Sequence, residues 1–260
     1  MHIHDDFSFG INAHWQVSEQ GGGAVSRRMG ALHLGLPVQD GTQYANAQLT
    51  DYLPEQRNFQ WRPPLRLTLS AFASLHPNNM VGTAGFGLWN YPYGIGARGI
   101  LLPQALWFFF SAPPSDMPLA QGVAGTGWKA ATFNARNWRF LALAPTAPLG
   151  FLLMRIPALH RALWGVGQRA IGVQEVALEP ELLTQEHRYS IEWLPDTARF
   201  NIDDRLVHEA RFSTRHALGF IVWMDNRWAI VTPQGRFAFG TSETQRPQAL
   251  VLRHISLESL

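Results

Sequence analysis

The sequence predicts an all-β fold, a sandwich of two antiparallel sheets with one short inserted helix. Three observations lead there: strand-like alternation, runs that are apolar at both parities, and 23 glycines and 17 prolines spread along the chain without a repeat period. Leu65, Leu67, Leu69, Ala71 and Ala73 alternate with Arg66, Thr68 and Ser70, the period of two that buries one strand face and wets the other. Residues 84–89, 105–110 and 218–224 are apolar at nearly every position, as strands covered on both faces would be. Tyr189, Ile191 and Trp193 alternate with Arg188, Ser190 and Glu192. After Pro195-Asp196 the pattern resumes at Ala198, Phe200 and Ile202, so a short turn joins two hairpin strands, and Asp203-Asp204 marks the next turn. One segment breaks the pattern. Leu152, Ile156, Leu159, Leu163, Val166 and Ala170 recur at steps of four and three, which predicts a helical insertion at 152–170 with its helix over 158–169 and Pro157 in the first turn. No linker interrupts the chain, so residues 1–260 are expected to form a single domain.

Composition narrows the function. Charged residues make up 15% of the chain, against roughly 25% in ordinary soluble domains, and 21 basic against 19 acidic side chains leave a formal charge of only +2. A nucleic-acid partner is therefore not expected. With no cysteine, disulfides, thiolate chemistry and cysteine-bound metals are excluded. The start MHIHDDFSFG lacks the basic and apolar pattern of a secretory signal, which points to the cytoplasm. His2, His4, Asp5 and Asp6 read better as a frayed end than as a metal site, since no second cluster sits at ligand spacing. The apolar window 140–154 holds Pro145 and Pro148 and falls short of the roughly 20 residues that span a bilayer. The predicted helix carries Arg155, His160, Arg161 and Arg169 around its stripe. Packing over the sandwich as a lid is the expected role, with a membrane surface as the less favoured alternative. The glycine-rich 122–130 has Trp128 where a phosphate loop needs its lysine, and no Gly-x-Ser-x-Gly elbow occurs.

The carboxy-terminal third, HRYSIEWLPDTARFNIDDRLVHEA, then GFIVWMDNRWAIV, then ALVLRHISLE, resembles the closing strands of glycoside hydrolase family 16 and the concanavalin A-like superfamily. PPLRLTLSAFASL followed by GTAGFGLWN is similar to the strands that lead into that family's active-site strand. The resemblance covers roughly residues 60 to 257 and implies a concanavalin A-like jelly roll whose concave face is a ligand cleft. In some relatives calcium braces the loops, which leaves a structural calcium open here. The family's retaining enzymes carry paired carboxylates on a Glu-x-Asp-x-Glu strand, about 5 Å apart. In this chain the corresponding strand, QALWFFFSAPP, holds none.

That absence shapes the site expected. Trp107, Phe109 and Ser111 share one face of QALWFFFSAPP and replace the acids with an aromatic lining. Sugar rings stack on such surfaces, so Trp89, Trp128, Trp223 and Trp228 join Trp107 and Phe109 as candidates. Asp225 follows Trp223 on the same parity, placed to accept hydrogen bonds from ligand hydroxyls. Asn90 stands beside Trp89. The bland alternatives are core packing for each tryptophan and turn chemistry for the Asp225-Asn226-Arg227 run. The first reading is a non-hydrolytic protein binding a carbohydrate or a partly apolar small molecule. The second is a hydrolase or other cleft enzyme with relocated acids, Asp225 first among them and Asp116, Glu192 and Asp203 behind it. A structural oligomer is the third.

Overall fold

The computed structural model describes residues 2–260 apart from 93–98, 100, 121, 215 and 233–235, and not the side chains at 147, 148, 151, 157, 160 and 161. The side chains of His160 and Arg161, expected on the helix rim, thus lie outside what is described. The strands in chain order are β1 (His2–Asp5), β2 (Gln16–Gln20), β3 (Ala24–Arg28), β4 (Ala31–Leu36), β5 (Asn46–Thr50), β6 (Leu65–Ala73), β7 (Thr83–Trp89), β8 (Gln104–Ser111), β9 (Gly127–Asn134), β10 (Gln174–Leu178), β11 (His187–Trp193), β12 (Thr197–Ile202), β13 (Arg205–Arg211), β14 (Gly219–Asp225), β15 (Arg227–Val231), β16 (Phe237–Thr241) and β17 (Gln248–Ser259). The helices α1 (Trp138–Leu143), α2 (Ala147–Leu153) and α3 (Pro157–Ile171) lie between β9 and β10.

Two antiparallel sheets stack as a concanavalin A-like jelly roll. One runs β13-β12-β11-β6-β17-β4-β3, with β1 beside β17, and the other runs β10-β9-β8-β7-β14-β5-β2. The chain changes sheet after β1, β2, β4, β5, β6, β10 and β13, and returns from β14 to β17 by way of the β15–β16 ribbon, so neighbours in each sheet come from distant parts of the sequence. Burial alternates along β6, with Leu65, Leu67 and Leu69 facing the other sheet, as their spacing predicts. Tyr189 of β11 meets Phe108 and Trp128 of the second sheet edge-on, at centroid distances of 5.0 and 5.8 Å, a geometry that aromatic quadrupoles favour. The hairpin turn at Asp203-Asp204 has φ of 48° and 64°, the left-handed pair that matches strand twist in a two-residue turn.

Three expectations are corrected. The amino terminus is not frayed: β1 pairs with β17 from His2↔Glu258 to Asp5↔Ile255, and Trp15 Nε1 donates to Asp5 Oδ2 at 2.8 Å. The helical segment begins at Trp138 rather than at 152. The 3-10 turn that holds Pro145, and the break before Pro157, divide its first part into helices too short to display a 3.6-residue period. The continuously apolar runs form β7, β8 and β14 at the centre of the second sheet, but only one of their faces meets another sheet. Aromatic rings that pack on one another cover the other face.

Candidate functional site

The outer face of the seven-stranded sheet is built around β7. Its outward positions are Thr83, Gly85, Gly87 and Trp89, while Ala84, Phe86 and Leu88 enter the core. A Cβ on Gly85 would stand 2.7 Å from the Trp223 ring, and one on Gly87 would stand 2.8 Å from Trp107 Cβ. These two residues leave the space in which side chains from the flanking strands meet. Trp107 of β8 and Trp223 of β14 come together over β7 at 5.7 Å between centroids. Phe109 stacks against both rings, at 5.9 Å from Trp107 and 6.0 Å from Trp223. Trp89 closes the cluster at 6.1 Å from Trp107 and donates from Nε1 to Tyr52 Oη at 2.6 Å.

A chain of hydrogen bonds fixes one end of this plate. Trp223 Nε1 donates to Thr83 Oγ1 at 2.9 Å, and Thr83 Oγ1 donates to Asp225 Oδ1 at 2.8 Å. Asp225 also accepts from the Arg227 amide at 3.1 Å and from Tyr44 Oη at 3.5 Å. The Arg227 guanidinium lies 4.0 Å above the Tyr44 ring, a cation–π contact. Burial pushes the Asp225 carboxyl up to about 6, opposed by Thr83 and by the neighbouring Arg227. Burial also raises the Tyr44 hydroxyl. Asp225 thus orders Thr83, and through it Trp223, together with Tyr44 from behind.

In front of it lies a cavity of about 480 Å³ between the sheet and the β15–β16 ribbon. Phe109, Trp228 and Phe239 supply apolar surface. Tyr44, Thr83, Ser111, Ser115, Thr241 and Arg227 supply polar groups. Trp228 lies flat where a Cβ on Gly240 would stand 2.5 Å from its ring, and its Nε1 donates to the Thr241 carbonyl at 3.3 Å. A second cavity of about 460 Å³ lies under the helices. Its lining is apolar apart from Thr146 and Gln168, and the Gln168 amide nitrogen is spent on the Pro118 and Leu119 carbonyls. Apolar walls with converging polar groups mark the usual small-molecule site, and only the first cavity has both.

Of the residues singled out in the sequence, Phe109 and Trp228 line this cavity, while Trp223 and Asp225 support it. Trp89 and Trp107 extend the aromatic face beyond it. Two do not belong. Trp128 is 1% exposed and points into the core between Phe86 and Phe108. Asn90 is 2% exposed, and its amide bonds the Gln104 N–H and the Leu102 carbonyl, joining the connection at the β7–β8 end. Tyr44, Thr83, Ser115, Arg227, Phe239 and Thr241 were missed. Thr83 alone was legible, from its parity with Gly85, Gly87 and Trp89. The others come from loops and the ribbon, which strand periodicity does not address.

Three other acids, Glu192, Asp203 and Glu175, do not gather near Asp225. Glu192 pairs with Arg66 on the opposite sheet at 2.9 Å, and Asp203 meets His187 there at 2.5 Å. Glu175 faces outward on β10, where its Oε2 takes Lys129 Nζ at 3.3 Å and its Oε1 the Ala120 amide at 2.8 Å. Strands β7, β8 and β9 separate β10 from β14, so Glu175 and Asp225 stand roughly 19 Å apart across the sheet. Asp116 lies in a bridge to Ile230, between Ser115 and Met117 of the cavity lining. Among the described residues no three His, Asp or Glu side chains converge as metal ligands.

Comparison with known proteins returns fold and not sequence. No family model matches, and no curated protein matches. Among solved structures, the chain is similar to a laminarinase from Flavobacterium sp. UMI-01, at TM-score 0.56 and 11% identity over 99% of both chains. It is also similar to a β-1,3-1,4-glucanase (lichenase) from a mouse hindgut metagenome, at 0.56 and 10%, over 100% of this chain and 99% of that one. A third is the Bacillus licheniformis β-glucanase, at 0.53 and 11%, over 100% and 98%. The chain therefore has the concanavalin A-like fold of family 16-type glucanases, as the order of its strands suggested.

Proposed function

We propose that this protein binds a carbohydrate, or another partly apolar small molecule, without cleaving it, in the 480 Å³ cavity beside the β15–β16 ribbon. One observation carries the reading: aromatic surface and hydroxyl donors converge on the cavity, while β8 holds no carboxyl and Asp225 is held behind the cavity wall. A sugar offers an apolar ring face to Phe109, Trp228 or Phe239 and hydroxyls to Thr83, Ser111 and Arg227. Glycoside cleavage needs two carboxyls, about 5–5.5 Å apart for retention and about 6.5–9.5 Å for inversion. The second reading is a hydrolase with Asp225 as proton donor, and the raised proton affinity of that group favours it.

Titration with laminari-, cello- and galacto-oligosaccharides, followed by thermal shift and reducing-end release, separates the two. Binding without cleavage predicts a saturable stabilisation, about 2.7 kcal/mol at a hundredfold excess over Kd, that Phe239→Ala weakens at least tenfold, and no new reducing ends. Release of reducing ends that Asp225→Asn abolishes would establish the hydrolase. No shift with any compound would remove the carbohydrate version.

A further inference from the structure

The helical segment between β9 and β10 is apolar on two sides. Inward, Leu163, Trp164 and Ile171 of α3 line the second cavity, and Gln168 ties the helix to the Pro118 and Leu119 carbonyls. This accounts for the packing role read from the helical stripe. It leaves the outward side unexplained. Among the described side chains of α3 the exposed positions are Ala158, Leu159, Ala162, Val166 and Arg169, at helical spacing and apolar until the last member, with Val166 also reaching the second cavity. The other helices continue it: Trp138 is 74% exposed, Leu149 and Leu152 each 59%. Surface helices normally turn a polar face to water, and contiguous exposed apolar surface of this kind marks an interaction site.

The charge of the same segment says what covers it. Residues 117–174 contain no Asp or Glu, and the helical part carries Arg136, Arg139, Arg155, Arg161 and Arg169. Arg139, Arg155 and Arg169 are exposed beside the apolar positions, and the Arg139 guanidinium lies 5.8 Å over the Trp138 ring. Elsewhere some exposed arginines are met by acids, as in Arg188–Asp204, Arg199–Glu209 and Arg253–Glu186. A second copy of the chain would set this cationic patch against itself, since a two-fold interface brings the same surface to both sides. An anionic bilayer supplies both complements, headgroup charge for the arginines and an acyl boundary for Trp138, Leu149, Leu152 and Leu159.

We propose that the helical segment docks the protein on the surface of an anionic lipid bilayer, lying in the interface without crossing it. Among the described residues no helix is long and apolar enough to cross a membrane. The test is flotation of the full chain with vesicles of phosphatidylcholine alone and of phosphatidylcholine with about one-third phosphatidylglycerol. The protein is expected to float with the anionic vesicles at low salt, to be released as salt rises, and to stay down with the neutral ones. Arg139→Gln, Arg155→Gln and Arg169→Gln together should weaken association about a hundredfold, some fivefold for each charge. Leu152→Glu with Leu159→Glu should abolish it at an unchanged Tm, because both sites are exposed and neither lines the second cavity. On the unmodified protein, anionic vesicles should blue-shift a tryptophan signal that Trp138→Phe removes. Failure to float at low salt, equal flotation with both vesicles, or a dimer in light scattering that Leu152→Glu dissociates would each overturn the proposal.

Discussion

Two aromatic clusters lie back to back through the seven-stranded sheet. On the inner side Phe86, Phe108 and Trp128 pack against Tyr189 of the facing sheet and are sealed at about 1% exposure or less. On the outer side Trp107, Phe109 and Trp223 pack on one another and on Trp89, across a strand whose central outward positions are Gly85 and Gly87. The residue types are nearly the same. What differs is the second layer: the inner rings have a whole sheet over them, and the outer rings end at a cavity rimmed with hydroxyls. Aromatic content therefore says little about binding in a sandwich. The parity of a ring on its strand, and what stands opposite it, decides.

Removing one ring from each side should break the symmetry most visibly. Trp128→Ala should cost about 3–5 kcal/mol, since the surrounding sheets cannot collapse into the space. Phe239→Ala, at the 72% exposed rim of the outer cavity, should change stability by less than about 0.5 kcal/mol. Urea denaturation of both measures the contrast, and equal losses would erase it.

Protonation distinguishes the sides next. Burial pushes Asp225, and also Asp51 beneath Trp61, up to about 6 from an ordinary 3.8. The folded chain then keeps protons that the unfolded chain has released. Stability from this source is complete below about pH 4 and is lost as pH rises through about 6. Asp225→Asn removes one of the two contributions. Its stability relative to the parent should therefore improve by on the order of 3 kcal/mol between about pH 4 and about pH 8. Denaturation series at both pH values test this, and a pH-independent difference would mean that Asp225 ionises normally.

A smaller effect than the loss of Trp128 belongs to the glycine strand. Gly85→Ala would put a methyl 2.4 Å from the Phe108 carbonyl oxygen and 2.7 Å from the Trp223 ring. The expected cost is about 1–3 kcal/mol, together with a changed near-ultraviolet dichroism as the outer rings separate. An unaltered spectrum would show that the rings do not depend on that gap.

The split between the faces was only partly legible in the sequence. In QALWFFFSAPP, alternation separated Trp107, Phe109 and Ser111 from Leu106, Phe108 and Phe110, and the structure divides them the same way. It failed for Trp128, because the alanines at 130 and 131 fit either face. Lys129 was the usable signal, since the outward residue of that pair had to be the one able to meet Glu175. The carboxyl-free β8 could be read directly, but the ribbon that walls the cavity could not. Trp228 looked like strand or turn, and its place depends on Gly240, twelve residues on, leaving room for the indole.

Asn137 has an outcome beyond capping α1. Its amide nitrogen donates to the Asn134 carbonyl and, at 2.7 Å, to the Ala170 carbonyl, so one side chain fastens the entrance of the helical excursion to its exit. The strands on either side are already neighbours, from Gln174↔Thr132 to Leu178↔Trp128. A tight loop across that gap would restore an ordinary hairpin. The helices are in this sense a detachable cassette, free to be lost, lengthened or exchanged without rewriting the barrel-like scaffold that carries them.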